Sequence, residues 1–142
     1  MLSFDVNWLA ILVCGIAAML LGMTWYSDAM VGKQWRAGIG VSDADVEKAR
    51  KEGMGPMMPS MVGGFLSNMV MAFFLANFLA WVGFGSVGEA MQIAFWLWLG
   101  FFAMNGLGSI FWEGRKFGFY AINAGYLLVW FMIMSAILSA WV

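Results

Sequence analysis

Four long apolar stretches, each broken only by isolated polar residues, alternate with polar connections along the chain. They run from Val6 to Tyr26, Ser60 to Trp81, Ala90 to Trp112 and Phe117 to Trp141. Each approaches or exceeds the roughly 20 residues needed to cross a hydrocarbon core of about 30 Å. The runs are continuous rather than strictly alternating, which argues against a membrane barrel, and helices are then the remaining way to satisfy backbone polar groups in lipid. The pattern predicts an all-α integral membrane protein, a four-transmembrane-helix bundle forming a single membrane domain over residues 1–142. Its helices are expected at 6–26, 60–81, 90–112 and 117–141, with a cytoplasmic loop over 27–59.

That loop is the only substantial soluble piece. Ser42, with Asp45 three residues later, reads as the start of a helix in the manner of a capping box, and Gly53 supplies a stop. One short solvated helix is expected between them, with Glu47 and Lys51 one turn apart as an ion pair of about 0.2 to 0.5 kcal/mol. A spacer is the simpler reading of this helix, and docking of a soluble partner the alternative.

Composition agrees with lipid as the main solvent: 63% of residues are hydrophobic and 11% charged, outside the usual range of soluble domains. A net charge of −1 without a long basic run excludes nucleic acid as a partner. Ahead of Val6 the charged residue is Asp5, so a cleaved signal peptide is not expected and the first stretch should remain as a helix. Cys14 is the sole cysteine and histidine is absent, which removes an intrachain disulfide, cysteine-based metal frameworks and histidine-based nucleophilic catalysis. No cofactor is expected.

Charge placement orients the bundle. Lys33, Arg36, Lys48, Arg50 and Lys51 lie between helices one and two, and Arg115 and Lys116 between helices three and four. With four spans both loops fall on one side, and the positive-inside rule puts them in the cytoplasm and both termini outside, an N-out/C-out arrangement. Aromatic residues at the helix ends should mark the headgroup level. Trp8, Trp81 and Trp141 are expected in the outer belt, and Trp25, Tyr26, Trp112 and Tyr120 in the inner one, with Trp35 lying along the inner surface.

Because lipid tails are as apolar as leucine, helices associate through close backbone approach and interhelical polar contacts. Ser60, Gly64, Asn68, Ala72 and Ala76 place a small stripe along helix two, expected to be the central helix. Gly15, Ala18 and Gly22 mark a seam on helix one, and Gly100 and Gly108 one on helix three. Gly64→Leu is expected to disrupt folding more than Leu79→Ala.

Helix three also carries Asn105, Ser109 and Glu113 at four-residue spacing, descending to the basic end. Asn68 and Asn123 share that half of the bilayer, and Asp28 closes it from helix one. These six residues form a candidate polar binding cluster opening to the cytoplasm, in which at least three side chains should converge. For the asparagines, hydrogen-bonded glue between helices is the simpler reading. For Asp28 and Glu113, it is anchoring or ion pairing at helix ends, against a role in binding or proton movement. Met54, Met57, Met58 and Met61 are soft donors of the kind that suit Cu(I), but apolar filling around Pro56 and Pro59 is preferred, and no metal site is assigned.

The run NWLAILVCGIAAMLLGMTWYSDAMVGKQW resembles a family of small bacterial membrane proteins known as domain of unknown function 1761. The likeness rests on Asn7 and Trp8, on Trp25, Tyr26 and Ser27, on Gly32, Lys33 and Trp35, and on WLGFFAMN, FWEGRKFGFYAINAGYLLVW and ILSAW in the second half. Many members place proline where this chain has Asp28, whereas Glu113, Gly114 and Arg115 fit the family pattern. The resemblance implies four helices in a bacterial membrane and supplies no activity. Three functions are therefore weighed: a non-enzymatic subunit or homo-oligomer among membrane lipids, a small transporter or channel, and a lipid-acting enzyme using Glu113 or Asp28. The first is preferred, because such enzymes usually gather more charged groups than this chain offers near the membrane.

Overall fold

In the computed structural model, which describes residues 1–141, four segments are long and apolar enough to cross a membrane: Trp8–Trp25, Gly55–Val82, Val87–Phe111 and Phe117–Ala140. The first is helix α1, Trp8–Trp25. It starts where the Asn7 side chain accepts the Ala10 amide at 3.0 Å, so a polar residue sits where the first helical N–H groups lack partners. The second is α4, Met58–Val82, which follows a 3-10 turn at Gly55–Met57. Proline in its first turn costs no hydrogen bond, and Gly83 ends it with a φ of 80° that other residues rarely adopt. The third begins at a Ser86 cap and is not a uniform α-helix. After α5, Val87–Leu97, it widens into a π-helix over Trp98–Ala103, and closes with α6, Met104–Gly106, and α7, Gly108–Phe111. The fourth is α8, Phe117–Ala140.

The connection between the first two spans differs from its expectation. It holds two short helices rather than one, α2 over Gly32–Ile39 and α3 over Asp43–Glu52. The expected helix is α3, and its capping box is complete: Ser42 Oγ accepts the Asp45 amide while the Asp45 carboxylate accepts the Ser42 amide. Glu47 pairs with Arg50 at 3.6 Å, not with Lys51, because residues three apart are also neighbours on a helix.

The small-residue pattern mislocates the centre of the bundle. The most extensive contacts join α5 to α8 and α1 to α4, and α8 additionally packs on α1 and α4. The fourth span, not the second, is therefore the central one. Its Trp130, Met134 and Leu138 meet Ile11 and Cys14 of α1, Leu75 and Leu79 of α4, and Ala90 and Ala94 of α5 in one buried core. Gly15 does mark a seam: a Cβ there would come within 2.9 Å of Phe65 and Met69 on α4. Gly22 faces Tyr126 of α8, and Ala72 is fully buried. Around Gly64 a Cβ would meet only Met19 Sδ at 3.9 Å, around Gly108 only Trp112, and around Gly100 nothing. Leu79 is fully buried, so the expected order of the Gly64→Leu and Leu79→Ala variants is reversed: α4 has room at Gly64 and none to lose at Leu79.

The spans run alternately between two ends. At one end the N-terminal segment folds back: Ser3 and Asn77 exchange two hydrogen bonds, Trp81 donates to the Met1 carbonyl and Asn7 to the Trp141 carbonyl. At the other end α2 packs beside the start of α8, and the lysines and arginines gather on the connections there.

Candidate functional site at the basic end

Where α1 ends, two aromatic rings turn inward. The Trp25 indole N–H donates to the Ile122 carbonyl of α8 at 3.1 Å, and its ring lies over Gly125, where a Cβ would approach to 3.2 Å. The Tyr26 hydroxyl donates to Asn123 Oδ1 at 2.8 Å, and its ring packs against Trp35 and Tyr126 with centroids 4.9 and 5.4 Å away. The chain then reverses sharply. The Ser27 carbonyl accepts the amides of Met30 and Gly32 at 3.1 and 2.9 Å, and a Cβ on Gly32 would overlap the Tyr26 carbonyl. Only glycine fits at that step, so Gly32 is what lets α2 start directly against the end of α1.

The far end of α2 is held from the other connection. A Cβ on Gly38 would overlap the Phe119 ring, so the absence of a side chain sets how closely α2 approaches α8. The Arg115 guanidinium donates to the Gly38 carbonyl, lies 4.9 Å from the Phe119 ring centroid and pairs loosely with Glu113 at 3.8 Å. A cation at the carbonyl end of a helix is also favoured by the helix dipole. The turn that aims Arg115 passes through Gly114 at a φ of 65°, and the Arg115 amide donates to the Ser109 carbonyl at 3.0 Å. Between α2 and the start of α8 lies a cavity of about 1050 Å³. Gln34, Glu113, Arg115 and Lys116 are its polar lining, and Val31, Phe119 and Ile122 its main apolar lining.

The six residues of the candidate polar cluster take separate partners. Asn68 donates to the Gly64 carbonyl and accepts the Trp130 indole N–H, both at 2.8 Å. Asn123 accepts from Tyr26, and Ser109 donates to the Gly106 carbonyl of its own span at 2.8 Å. Asn105 is exposed on α6. Asp28 forms an ion pair with Arg36, whose hydrogen bond holds the Asp28 carboxyl below the usual carboxylate range, and Glu113 faces Arg115. No hydrogen bond or ion pair joins any two of the six among the described residues, so the expected three-way convergence does not occur by direct contact. The cavity contains one of them, Glu113.

The aromatic residues divide as well. Trp8, Trp81, Trp112 and Trp141 stand exposed, Trp112 at 90%. Trp25, Tyr26, Trp35 and Tyr120 do not: each is partly buried, and all but Trp35 donate across a helix boundary, Tyr120 to the Ala103 carbonyl at 2.8 Å. Trp98 and Trp130, which sequence reasoning passed over, act in the same way, Trp98 by donating to the Ala124 carbonyl at 2.9 Å. Their signal was available, because an indole or phenol in the middle of an apolar span needs an acceptor. Asn77 is the most buried asparagine, 2% exposed, and holds both Ser3 and the Phe73 carbonyl.

No curated protein and no solved structure matches this chain. A family model described as a protein of unknown function, DUF1761, matches residues 9–139. Several of the motifs behind the resemblance meet at this end of the bundle, where Trp25, Tyr26, Gly32 and Trp35 come together with Arg115 around α2 and the start of α8, while Asn7 and Trp141 pair at the other end. With the match running over nearly its whole length, the chain belongs to the DUF1761 family.

Proposed function

We propose that this is a multi-pass protein of the bacterial cytoplasmic membrane, with its basic end in the cytoplasm and its Met1 end outside, that acts by association rather than by catalysis. It works as a homo-oligomer or as a subunit of a larger membrane complex, surrounded by membrane lipids. The observation that carries this reading is the use of the interior polar groups. Asn68 and Asn123 are taken up by Trp130 and Tyr26 on neighbouring spans, which makes these two asparagines part of an internal frame. A laterally open apolar groove of about 470 Å³ between α4 and the third span, lined by Phe74, Phe78, Phe101 and Phe102, gives that frame a surface suited to packing.

Native mass spectrometry on gently solubilised membranes tests the proposal. A homo-oligomer or a stoichiometric complex with another protein is expected; a monomer alone would overturn it. A reporter fused after Val142 should be found outside the cytoplasm, and a cytosolic reporter would overturn the orientation.

Transport is the second reading, favoured by the cavity at the basic end with Gln34, Glu113, Arg115 and Lys116 in its lining. Loss of cellular solute flux in Glu113→Gln, with assembly intact, would move the assignment there. A lipid-acting enzyme comes third. Asp28, held ionised by Arg36, suits an anchor better than a proton donor.

A further inference from the structure

We propose that the cavity between α2 and the start of α8 holds the headgroup of an anionic phospholipid from the leaflet at the basic end. This goes beyond the association reading and requires only that the four spans lie in a bilayer. The lining is two-sided, as a phospholipid is. Arg115, Lys116 and Gln34 offer donors to a phosphate, while Val31, Phe119 and Ile122 offer an apolar wall to the first carbons of the acyl chains. At about 1050 Å³ the space exceeds what a free phosphate would fill. Its depth also fits, because α8 enters its apolar run at Phe117, directly beside the cavity.

Charge selects the lipid class. Two cations face one carboxylate in the lining, and the Glu113 to Arg115 distance of 3.8 Å, with both side chains well exposed, marks a pair that water already weakens. The bond from Arg115 to Gly38 occupies one of five guanidinium donors and leaves the others for a phosphate. Lys33 on α2 adds positive potential at the same end, whereas the charge of Arg36 is matched by Asp28. Access is open at Gly118, also in the lining, where a Cβ would meet nothing within 4 Å.

The test is native mass spectrometry of the full chain released from detergent micelles to which phosphatidylglycerol or phosphatidylcholine has been added. The wild type should retain phosphatidylglycerol in preference to phosphatidylcholine. Lys116→Gln, at an exposed side chain, should weaken that retention about fivefold, the loss expected for one cation near an anionic headgroup. Gly118→Leu should abolish it by filling the entrance, with helix content by circular dichroism unchanged. Lys51→Gln on α3, outside the cavity lining, should bind as the wild type does. Wild-type retention in Lys116→Gln or in folded Gly118→Leu overturns the proposal, as does equal retention of the two lipids. If Gly118→Leu does not fold, Lys116→Gln decides alone. Displacement of the lipid by inorganic phosphate would also overturn it, by showing a free-anion site.

Discussion

The two ends of the bundle are closed by different chemistry. At the Met1 end the N-terminal segment is held by neutral groups: Asn77 exchanges hydrogen bonds with the Ser3 backbone, Trp81 and Asn7 donate to carbonyls, Trp8 stacks on Phe73 at 5.7 Å and Phe4 lies tilted against it at 5.4 Å. At the basic end the closure uses glycines at points of overlap, inward aromatic donors and exposed charges, and a large cavity remains. The lesson is one of solvent. Neutral pairing satisfies backbone groups without the expense of burying a charge, whereas charges kept at an interface can stay hydrated and meet headgroups.

Six variants and one titration would break or sharpen that contrast. The largest effect is expected beside the neutral end, where Leu79→Ala removes a fully buried side chain; core truncations of this kind cost about 2–5 kcal/mol. Gly64→Leu, with open space at its Cβ, should cost clearly less, and the two are compared by unfolding in mixed detergent. At the basic end Gly38→Ala forces a methyl into the Phe119 ring, and overpacking costs about 1–3 kcal/mol. Here the cost should fall on the docking of α2, read as faster hydrogen exchange over Gly32–Ile39 with the spans still protected.

Asn77→Ala removes the partner of the exposed Ser3 amide and carbonyl, and an ordinary hydrogen bond of this kind contributes about 0.5–1.5 kcal/mol net. Proteolysis of residues 1–7 should speed up while α2 exchange stays unchanged, which separates the two ends directly. Tyr26→Phe deletes one interhelical hydrogen bond, worth about 0.6 kcal/mol on average within membranes, and should lower thermal stability slightly without altering the fold.

The smallest effect is electrostatic. The folded-state Asp28 carboxyl titrates below its ordinary value, so its pairing with Arg36 contributes fully above the ordinary carboxylate range and is lost as pH falls through the depressed value. Hydrogen-exchange protection over α2, taken relative to the intrinsic rate at each pH, should therefore fall modestly on acidification, and Asp28→Asn should abolish that fall. An equal response to acid in residues 1–7 would contradict the contrast, since their contacts with Asn77, Trp81 and Trp141 are between neutral groups.

Hydropathy alone made the four spans legible, because a run of apolar residues long enough to cross a bilayer leaves the backbone few alternatives to a helix. The α3 cap at Ser42 and the grouping of basic residues were legible for the same kind of reason: both depend on near neighbours in sequence. Which helix sits at the centre was not. Glycine spacing marks where helices can approach, and only the assembled bundle decides that Gly15 meets α4 while Gly64 meets almost nothing. The hydrogen-bond partners belong to the same class. That Asn68 must find a partner follows from its place in a long apolar helix, but that Trp130 on the fourth span supplies it, rather than Asn105 on the third, depends on helix rotation and depth. Rotation and depth follow from packing among all four spans, which no single stretch of the chain encodes.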